Sequence, residues 1–582
     1  MAIEYSGKFM VRVPLVHFNA IASASALQPS ATGPITRPLF GASHAAGIAF
    51  NVGLAPQQQR EWLLHEAEPS DMHPWDVAHQ IAQGKFPGSE QFAIAQPAYA
   101  EPDLLNTRHP PVRTQKPLSP APSLAATDGP PWQAKAALNT SYAPSPGTIF
   151  SPAWHLEAAY ANFFGAWAYN KGAGIRIAHL DTGFTPGHMS TPRNIRPDQG
   201  YNFYENNTNT ADPYLSEWTD QPGHGTATLA LLAGNSVDIE YEAGPVFDDD
   251  FGGAPDATVV PVRIGPSVIH FYSADVAQGL DYALAPRSGG MCDVVTISHG
   301  GLPSNAWAEA VNRLYDAGVV VVAAAGDSIY LEVMDVATHF TVYPAAFYRV
   351  ITATGTTYTK APYITNKFGV MQGCWGPDKV MEKAVAAYTP NVPWMSSKTD
   401  PHAWDMDGGG TSSSTPQIAA ACALWLKQYG QQFPAGWQRV EACRHALFES
   451  VKNKDQNLSQ IGAGLLDAGA MLSPATLAKV QAAYMNHQLP YTPSDQVSFP
   501  FFRLLFGLAP PGPGVDEMYE TEATQIFFRS GNKDLAAAVE ANPEGDPARA
   551  LAPALAQQLR DAFIAEPSIS STLKSHLQSL MP

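Results

Sequence analysis

The chain has 582 residues, 45% of them apolar and 15% charged, and its 34 basic against 52 acidic side chains leave a formal charge of −18. At roughly 100–200 residues per domain, this length supports two to four domains, and the apolar share excludes a chain disordered throughout. The acidic balance argues against a nucleic-acid binder, which carries a basic patch, and against a polybasic membrane anchor. The four cysteines, Cys292, Cys374, Cys422 and Cys443, are widely spaced without a CxxC. They form no disulfide framework and are expected to be buried, inert thiols. The longest uniformly apolar run, Ala317 to Gly326, is about half the roughly 20 residues that a membrane-spanning helix needs. Residues Met1 to Lys8 lack a charged segment followed by an apolar one. The expected location is therefore the cytoplasm, with export by a route lacking a standard signal left open.

In chain order, residues 1–108 read as an N-terminal α+β region. Lys8 to Val16 alternates like a strand, Gln57 to Ala67 and Trp75 to Ile81 read as short helices, and Phe92 to Tyr99 as a second strand. Residues 109–150 are rich in Pro, Ser and Ala and read as a linker. Residues 151–475 alternate apolar strands with helices. The strands are Ile175 to Leu180, Val259 to Ile264, Val294 to Ser298, Val319 to Ala325 and Val350 to Ala353; Ala274 to Leu284 and Ala306 to Ala317 are helical. This pattern predicts an α/β fold with an open, mostly parallel sheet covered on both faces, its functional groups at the carboxyl ends of the strands. Residues 476–582 read as a helical extension. Leu551, Leu555, Leu559 and Phe563 fall on one helical face, and Leu573, Leu577 and Leu580 on another.

Three segments carry chemistry. Ala178-His179-Leu180-Asp181-Thr182-Gly183 is a buried strand ending in a carboxylate and a turn. Gly223-His224-Gly225-Thr226-Ala227 sets a histidine between glycines. Gly410-Thr411-Ser412-Ser413-Ser414-Thr415-Pro416 leads into the apolar helix Gln417 to Trp425, with Pro416 expected in its first turn. A serine hydroxyl needs a base to take its proton, a histidine can take and return it, and a buried carboxylate fixes the imidazole tautomer. Each segment alone reads equally well as a turn or loop; the order Asp, His, Ser within an α/β pattern is what is specific.

Residues 151–475 resemble the subtilisin-like serine proteases, the subtilases. The resemblance implies a three-layer α/β fold with Asp181 as orienting acid, His224 as general base and Ser412, directly after Gly-Thr, as nucleophile. Gly253-Ala254-Pro255-Asp256-Ala257 is similar to the segment preceding a strand toward the cleft. Ser298-His299-Gly300-Gly301 is similar to the family's Ser-Leu-Gly-Gly, whose backbone pairs with substrate. Ser298, His299, Gly300 and Gly326 are thereby implied in substrate binding, His299 either facing a subsite or only packing. Gly462 to Ala468 resembles the closing segment and sets the domain's end near 475. Where the family has Gly-Asn, whose side chain donates to the oxyanion, this chain has Gly326-Asp327. An ionised carboxylate cannot donate there, and an Asp ordinarily titrates near pH 4. Asp327 is therefore expected to sit in the oxyanion site and to limit turnover near neutral pH, although some family members carry Asp at this position and remain active.

The implied chemistry needs no cofactor. Family members often bind structural calcium in surface loops, and Asp238 to Glu242 with Asp248 to Asp250 offers oxygen ligands, but in no recognised loop code. A solvated acidic surface is expected, and no metal ligand is assigned. Residues 1–108 lie where secreted members carry an inhibitory propeptide; a fused accessory domain is the alternative. The function implied is a serine endopeptidase acting on polypeptides, with apolar or aromatic P1 as the family default. Its rivals are a latent or pseudo-protease that binds peptides as a scaffold, and a zymogen-like component released by a partner or by cleavage at 109–150. Nothing in the sequence sets the oligomeric state.

Overall fold

The computed structural model describes residues 3–26, 35–47, 59–96, 98–106, 151–214, 221–240, 246–329, 340–364, 371–454, 458–497, 514–530 and 553–580. The linker reading over 109–150 and Leu551 lie outside them.

The N-terminal region contributes β1 (Tyr5–Pro14), α1 (Leu15–Ala26), β2 (Thr36–Pro38), α2 (Gly41–Ala45), β3 (Arg60–Glu66), α3 (Pro74–Ala82) and β4 (Tyr99–Asn106). The helix expected over Gln57 to Ala67 is instead β3. It pairs antiparallel with β1 on one side and β2 on the other, and central pairing outweighs the helix-forming Glu and Leu content. The strand expected over Phe92 to Tyr99 starts only at Tyr99, since Glu90–Phe92 is a 3-10 turn. Glu101 and Asp103 hid this strand from a hydropathy reading, because β4 is buried throughout with both carboxylates inside.

Residues 151–475 are built on a seven-stranded sheet, ordered β16-β14-β12-β11-β5-β9-β6. Its strands are β5 (Arg176–Asp181), β6 (Tyr201–Asn202), β9 (Thr258–Arg263), β11 (Val294–Ile297), β12 (Val320–Ala324), β14 (Ile351–Thr356) and β16 (Ala384–Tyr388). Every pairing in it is parallel, as the continuous apolar strands predict. The chain leaves β5 on one side toward β9 and β6, then returns to β11 and builds outward. The order therefore reverses between β5 and β11, where such sheets open a crevice at their carboxyl ends. One face is covered by α4 (His224–Ala233), α7 (Thr411–Tyr429) and α8 (Trp437–Ser450), the other by α5 (Ser273–Tyr282) and α6 (Asn305–Ala317). Helix α9 (Pro474–Met485) crosses the boundary expected at 475, and its Val480 and Ala483 are buried in the same core as α7. All four cysteines are buried, and no disulfide joins any of them.

Helices α5 and α6 also carry the N-terminal region. Phe9, Val11, Trp62, Leu64 and Val77 form one continuous core with Val276, Leu280 and Val311. Strand β4 extends the N-terminal sheet onto residues 151–475 by pairing antiparallel with β10 (Phe271–Tyr272). The C-terminal helices α10 (Val515–Arg529), α11 (Pro553–Ala565) and α12 (Ser571–Ser579) bury Leu559, Phe563, Leu573 and Leu577 together with Phe527, which is the face the leucine spacing predicts.

Two buried charges give testable consequences. The Lys383 ammonium is fully enclosed and donates to the carbonyls of Ala345 (2.5 Å) and Val350 (3.1 Å) and to the Thr352 hydroxyl (2.6 Å). Lys383→Met strands three acceptors at about 1–3 kcal/mol each. A loss of about 3–5 kcal/mol is expected, read as a lower urea midpoint for unfolding of residues 151–475. On α10, Glu522 accepts the N–H and hydroxyl of Ser570, each at 2.8 Å. Burial pushes its carboxyl up to about 8 against those hydrogen bonds, with Asp76 adding to the rise. A carboxyl raised in the folded state stabilises fully below its ordinary pKa of 4.5 and loses that contribution as pH climbs through about 8. Calorimetry is expected to show the C-terminal helices melting earlier at pH 9 than at pH 5 or 6, and Glu522→Gln to flatten this slope.

Candidate active site

Asp181 ends β5 and His224 begins α4. Gly225 lets that helix start approach the turn after Asp181: a Cβ there would lie 2.0 Å from the Gly183 carbonyl oxygen. His224 Nδ1 lies 2.7 Å from Asp181 Oδ1, which also accepts the Thr182 N–H at 2.8 Å. Asp181 Oδ2 accepts the Thr228 hydroxyl at 3.0 Å. Thr228 sits one helical turn beyond His224, so one helix presents both partners of the carboxylate. Burial would raise the Asp181 carboxyl, but the charge and hydrogen bond of His224 outweigh it and hold it well below the usual range. The carboxylate therefore accepts from Nδ1–H, which leaves the Nε2 lone pair available. Nε2 is buried and has no hydrogen-bond partner among the described residues.

His179 lies 2.9 Å from the Thr228 hydroxyl through Nε2. Since Thr228 gives its proton to Asp181, His179 Nε2 is the donor in that contact.

Ser412 lies in the first turn of α7, whose N–H groups have no acceptor within the helix. Its hydroxyl donates to the Ser298 carbonyl at 3.4 Å. The helix begins at Thr411, five residues before Pro416, so the expectation of Pro416 in the first turn is corrected. Pro416 cannot donate to the Ser412 carbonyl four residues back, and the Ser298 hydroxyl donates to it instead at 3.1 Å. Ser298 at the end of β11 thus holds the Ser412 turn from both its hydroxyl and its carbonyl. His224 on Asp181 after β5 and Ser412 on Ser298 after the neighbouring parallel strand β11 lie at the same end of the sheet.

Asp327 starts β13 (Asp327–Ile329), which pairs antiparallel with β15 (Met371–Gly373). Its carboxylate accepts the Thr411 N–H at 2.8 and 3.1 Å and the Thr411 hydroxyl at 3.1 Å. That hydroxyl in turn accepts the Gly326 N–H at 3.1 Å. Asp327 is thus beside the Ser412 turn and is used as an acceptor. The Gly326 carbonyl accepts the Cys374 N–H at 2.8 Å, so both backbone groups of Gly326 are engaged inside the protein.

His299 is 1% exposed, and its ring packs edge-on against His224, centroids 6.3 Å apart, and against Phe271 at 5.3 Å. Burial pushes its pKa down to about 4, against the pull of Asp181. Here it packs as a neutral ring beside His224. Gly300 is close under Val342 and Gly301 exchanges both backbone hydrogen bonds with Tyr343.

Sequence reasoning missed Asn106. The stretch Thr389 to Trp394 contains β17 (Val392–Met395), which pairs with β18 (Trp404–Gly408) and sets Trp394 against the His224 ring at 5.6 Å. The β-branched and aromatic residues around Val392 were the available signal. Asn106, at the end of β4, accepts the Leu302 N–H at 2.7 Å and donates to Ser273 at 3.0 Å, just past the Ser298–Gly301 segment.

The acidic stretch folds as a hairpin of β7 (Ser236–Glu240) and β8 (Val246–Asp250). Asp238, Glu240, Asp248 and Asp249 are exposed. Asp250 is buried against Lys171 (2.7 Å), Arg193 and Ser236 (2.6 Å). A carboxylate already neutralised by two cations does not fit a calcium ligand. Among the described residues, no group of three or more His, Cys, Asp or Glu is placed to hold a metal ion, and no helix is long and apolar enough to cross a membrane.

Asp181, His224 and Ser412 thus lie at the carboxyl end of a parallel sheet, the residue types that a serine hydrolase uses. The sequence profile of the Subtilase family matches residues 172–464, half of the chain. The chain is 26% identical over 334 residues to the minor extracellular protease Epr of Bacillus subtilis, a match covering 57% of this chain and 43% of Epr. It is 27% identical over 309 residues to Subtilisin BL of Lederbergia lenta, covering 52% of this chain and 93% of that protein. Subtilisin DY of Bacillus licheniformis is 28% identical over 263 residues, 44% of this chain and 79% of that protein. The chain belongs to the subtilase family, whose members are serine endopeptidases acting on polypeptides.

Proposed function

We propose that this chain hydrolyses internal peptide bonds through an acyl-enzyme on Ser412. His224 takes the Ser412 proton as the hydroxyl attacks the scissile carbonyl, then gives it to the leaving amine. Asp181 fixes the tautomer and stabilises the imidazolium. The Ser412 N–H, in the open first turn of α7, stabilises the oxyanion, with Asp327 alongside it limiting the rate near neutral pH. The observation that carries this reading is the 2.7 Å contact between His224 Nδ1 and Asp181. It leaves a buried Nε2 without a partner at the sheet end that holds Ser412.

Residues 1–108 act as a pro-segment and 109–150 as its connection to the peptidase. Supporting this, β4 pairs with the edge of β10 and ends with Asn106 on Leu302, next to the segment that would pair with substrate. A free substrate strand would need the same edge.

The test is digestion of a denatured-proteome peptide library by the purified chain, with and without a serine-directed sulfonyl fluoride. Inhibitor-sensitive new termini within polypeptides support the reading; intact peptides at every pH tried would refute it.

A further inference from the structure

The N-terminal region is held from two sides, and only one of them is the peptidase. On the peptidase side, Glu101 accepts the Ala306 N–H (2.8 Å), the Asn305 N–H (3.2 Å) and the Ser304 hydroxyl (2.8 Å) at the start of α6. Asp103 accepts the Ala274 N–H at 2.6 Å at the start of α5. Asp281 returns the contact by accepting the N–H groups of Ala42 and Ser43 at the start of α2, each at 3.1 Å. Carboxylates at helix starts are favourable on both orphan-donor and dipole grounds.

On the far side lie the C-terminal helices. Gln525 on α10 accepts the Trp75 indole N–H at 3.1 Å and donates to the Pro303 carbonyl at 2.8 Å. One side chain therefore ties the N-terminal region to the peptidase. Thr521 lies 3.2 Å from the Tyr99 hydroxyl and accepts from Asn305 Nδ2 at 2.9 Å. Arg12 of β1 pairs with Glu517. Asp76 of α3 accepts the N–H groups of Ser571 (3.0 Å) and Thr572 (2.8 Å) at the start of α12. Tyr519 is stacked on His576 at 4.3 Å and meets the His79 ring at 5.0 Å. Phe340 of the peptidase packs on Phe527 of α10 at 5.0 Å, so the helices are also anchored to the peptidase itself.

We propose that α10 and α12 are a clasp that keeps residues 1–106 bound as a non-covalent subunit after the chain is cut within 107–150. The buried contacts that would have to open for release lie on two faces, and the outer face belongs to helices still attached to the peptidase. A pro-segment docked on α5 and α6 alone could leave by breaking one face. Here the edge of β10 and the Leu302 N–H stay covered by β4 and Asn106 until the C-terminal helices move. The inference rests on the proposed function only for what the retained region restrains.

The test makes the cut independently of this chain's own activity. A recognition sequence for a site-specific protease is inserted after Ala125 in the full Ser412→Ala chain, the chain is cut, and fragment release is followed by gel filtration and surface capture. The parent is expected to retain the N-terminal fragment. Asp76→Ala with Gln525→Ala is expected to release it at least about tenfold faster, as affinity changes at one interface fall mainly on the off-rate. Equal release from parent and double variant, fast or slow, overturns the clasp. If the uncut double variant loses its near-ultraviolet circular dichroism, Arg12→Ala, half-buried on β1 over the Trp62 and Tyr99 rings, decides in its place by the same comparison. A chain without peptidase activity would give the same release data, so failure of the clasp and failure of the catalytic reading are told apart.

Discussion

Ser412→Ala is expected to lower kcat by about 10⁶-fold while leaving the fold intact, the scale seen when a triad member is removed. The hydroxyl makes one weak contact, at 3.4 Å to the Ser298 carbonyl. Its loss costs little stability, and all of the proposed chemistry passes through it. His224→Ala should cost a similar factor, because Nε2 has no hydrogen-bond partner among the described residues and is free for the role proposed. The two changes together should cost no more than either alone, since nucleophile and base act as a unit. Steady-state peptide turnover checks this: additive losses would mean that the residues do not act together.

Asp327→Asn is expected to raise kcat near pH 8 by about 10²–10³-fold, the worth of one oxyanion donor. In the resting structure the carboxylate is an acceptor for the Thr411 N–H and hydroxyl. An asparagine keeps one oxygen for the Thr411 N–H and brings an N–H₂ group to the same place. It also removes a negative charge from beside the turn where an oxyanion would form. A variant no faster than the parent across pH 5–9 would show that the Ser412 N–H suffices and that Asp327 only orders Thr411.

Five of the sheet's seven strands were legible because they are short, largely apolar runs set between helical stretches; β6 and β16 were not read. Asp181, His224 and Ser412 stood out because their glycine-flanked segments occur in one order within that pattern. What stayed hidden depends on contacts between distant residues. Strand β3 is a strand because β1 and β2 flank it, which its own sequence does not encode. Strand β4 carries Glu101 and Asp103, which look like surface residues until the helix starts they cap are brought to them. The role of Thr228 could have been read from its position four residues after His224. That of Ser298, filling the acceptor site that Pro416 leaves empty, needs the tertiary fold. The helical spacing in the tail located α12, but nothing in it pointed to Asp76 as its partner.

The central claim, an activated Ser412, is tested most directly by fluorophosphonate labelling of the intact chain from pH 4 to 9, with Ser412→Ala as control. The probe reads the nucleophile without knowledge of the substrate. Labelling that disappears in Ser412→Ala and in His224→Ala is the predicted result. Folded protein that takes up no label at any pH, or takes it up equally without Ser412, would contradict the account.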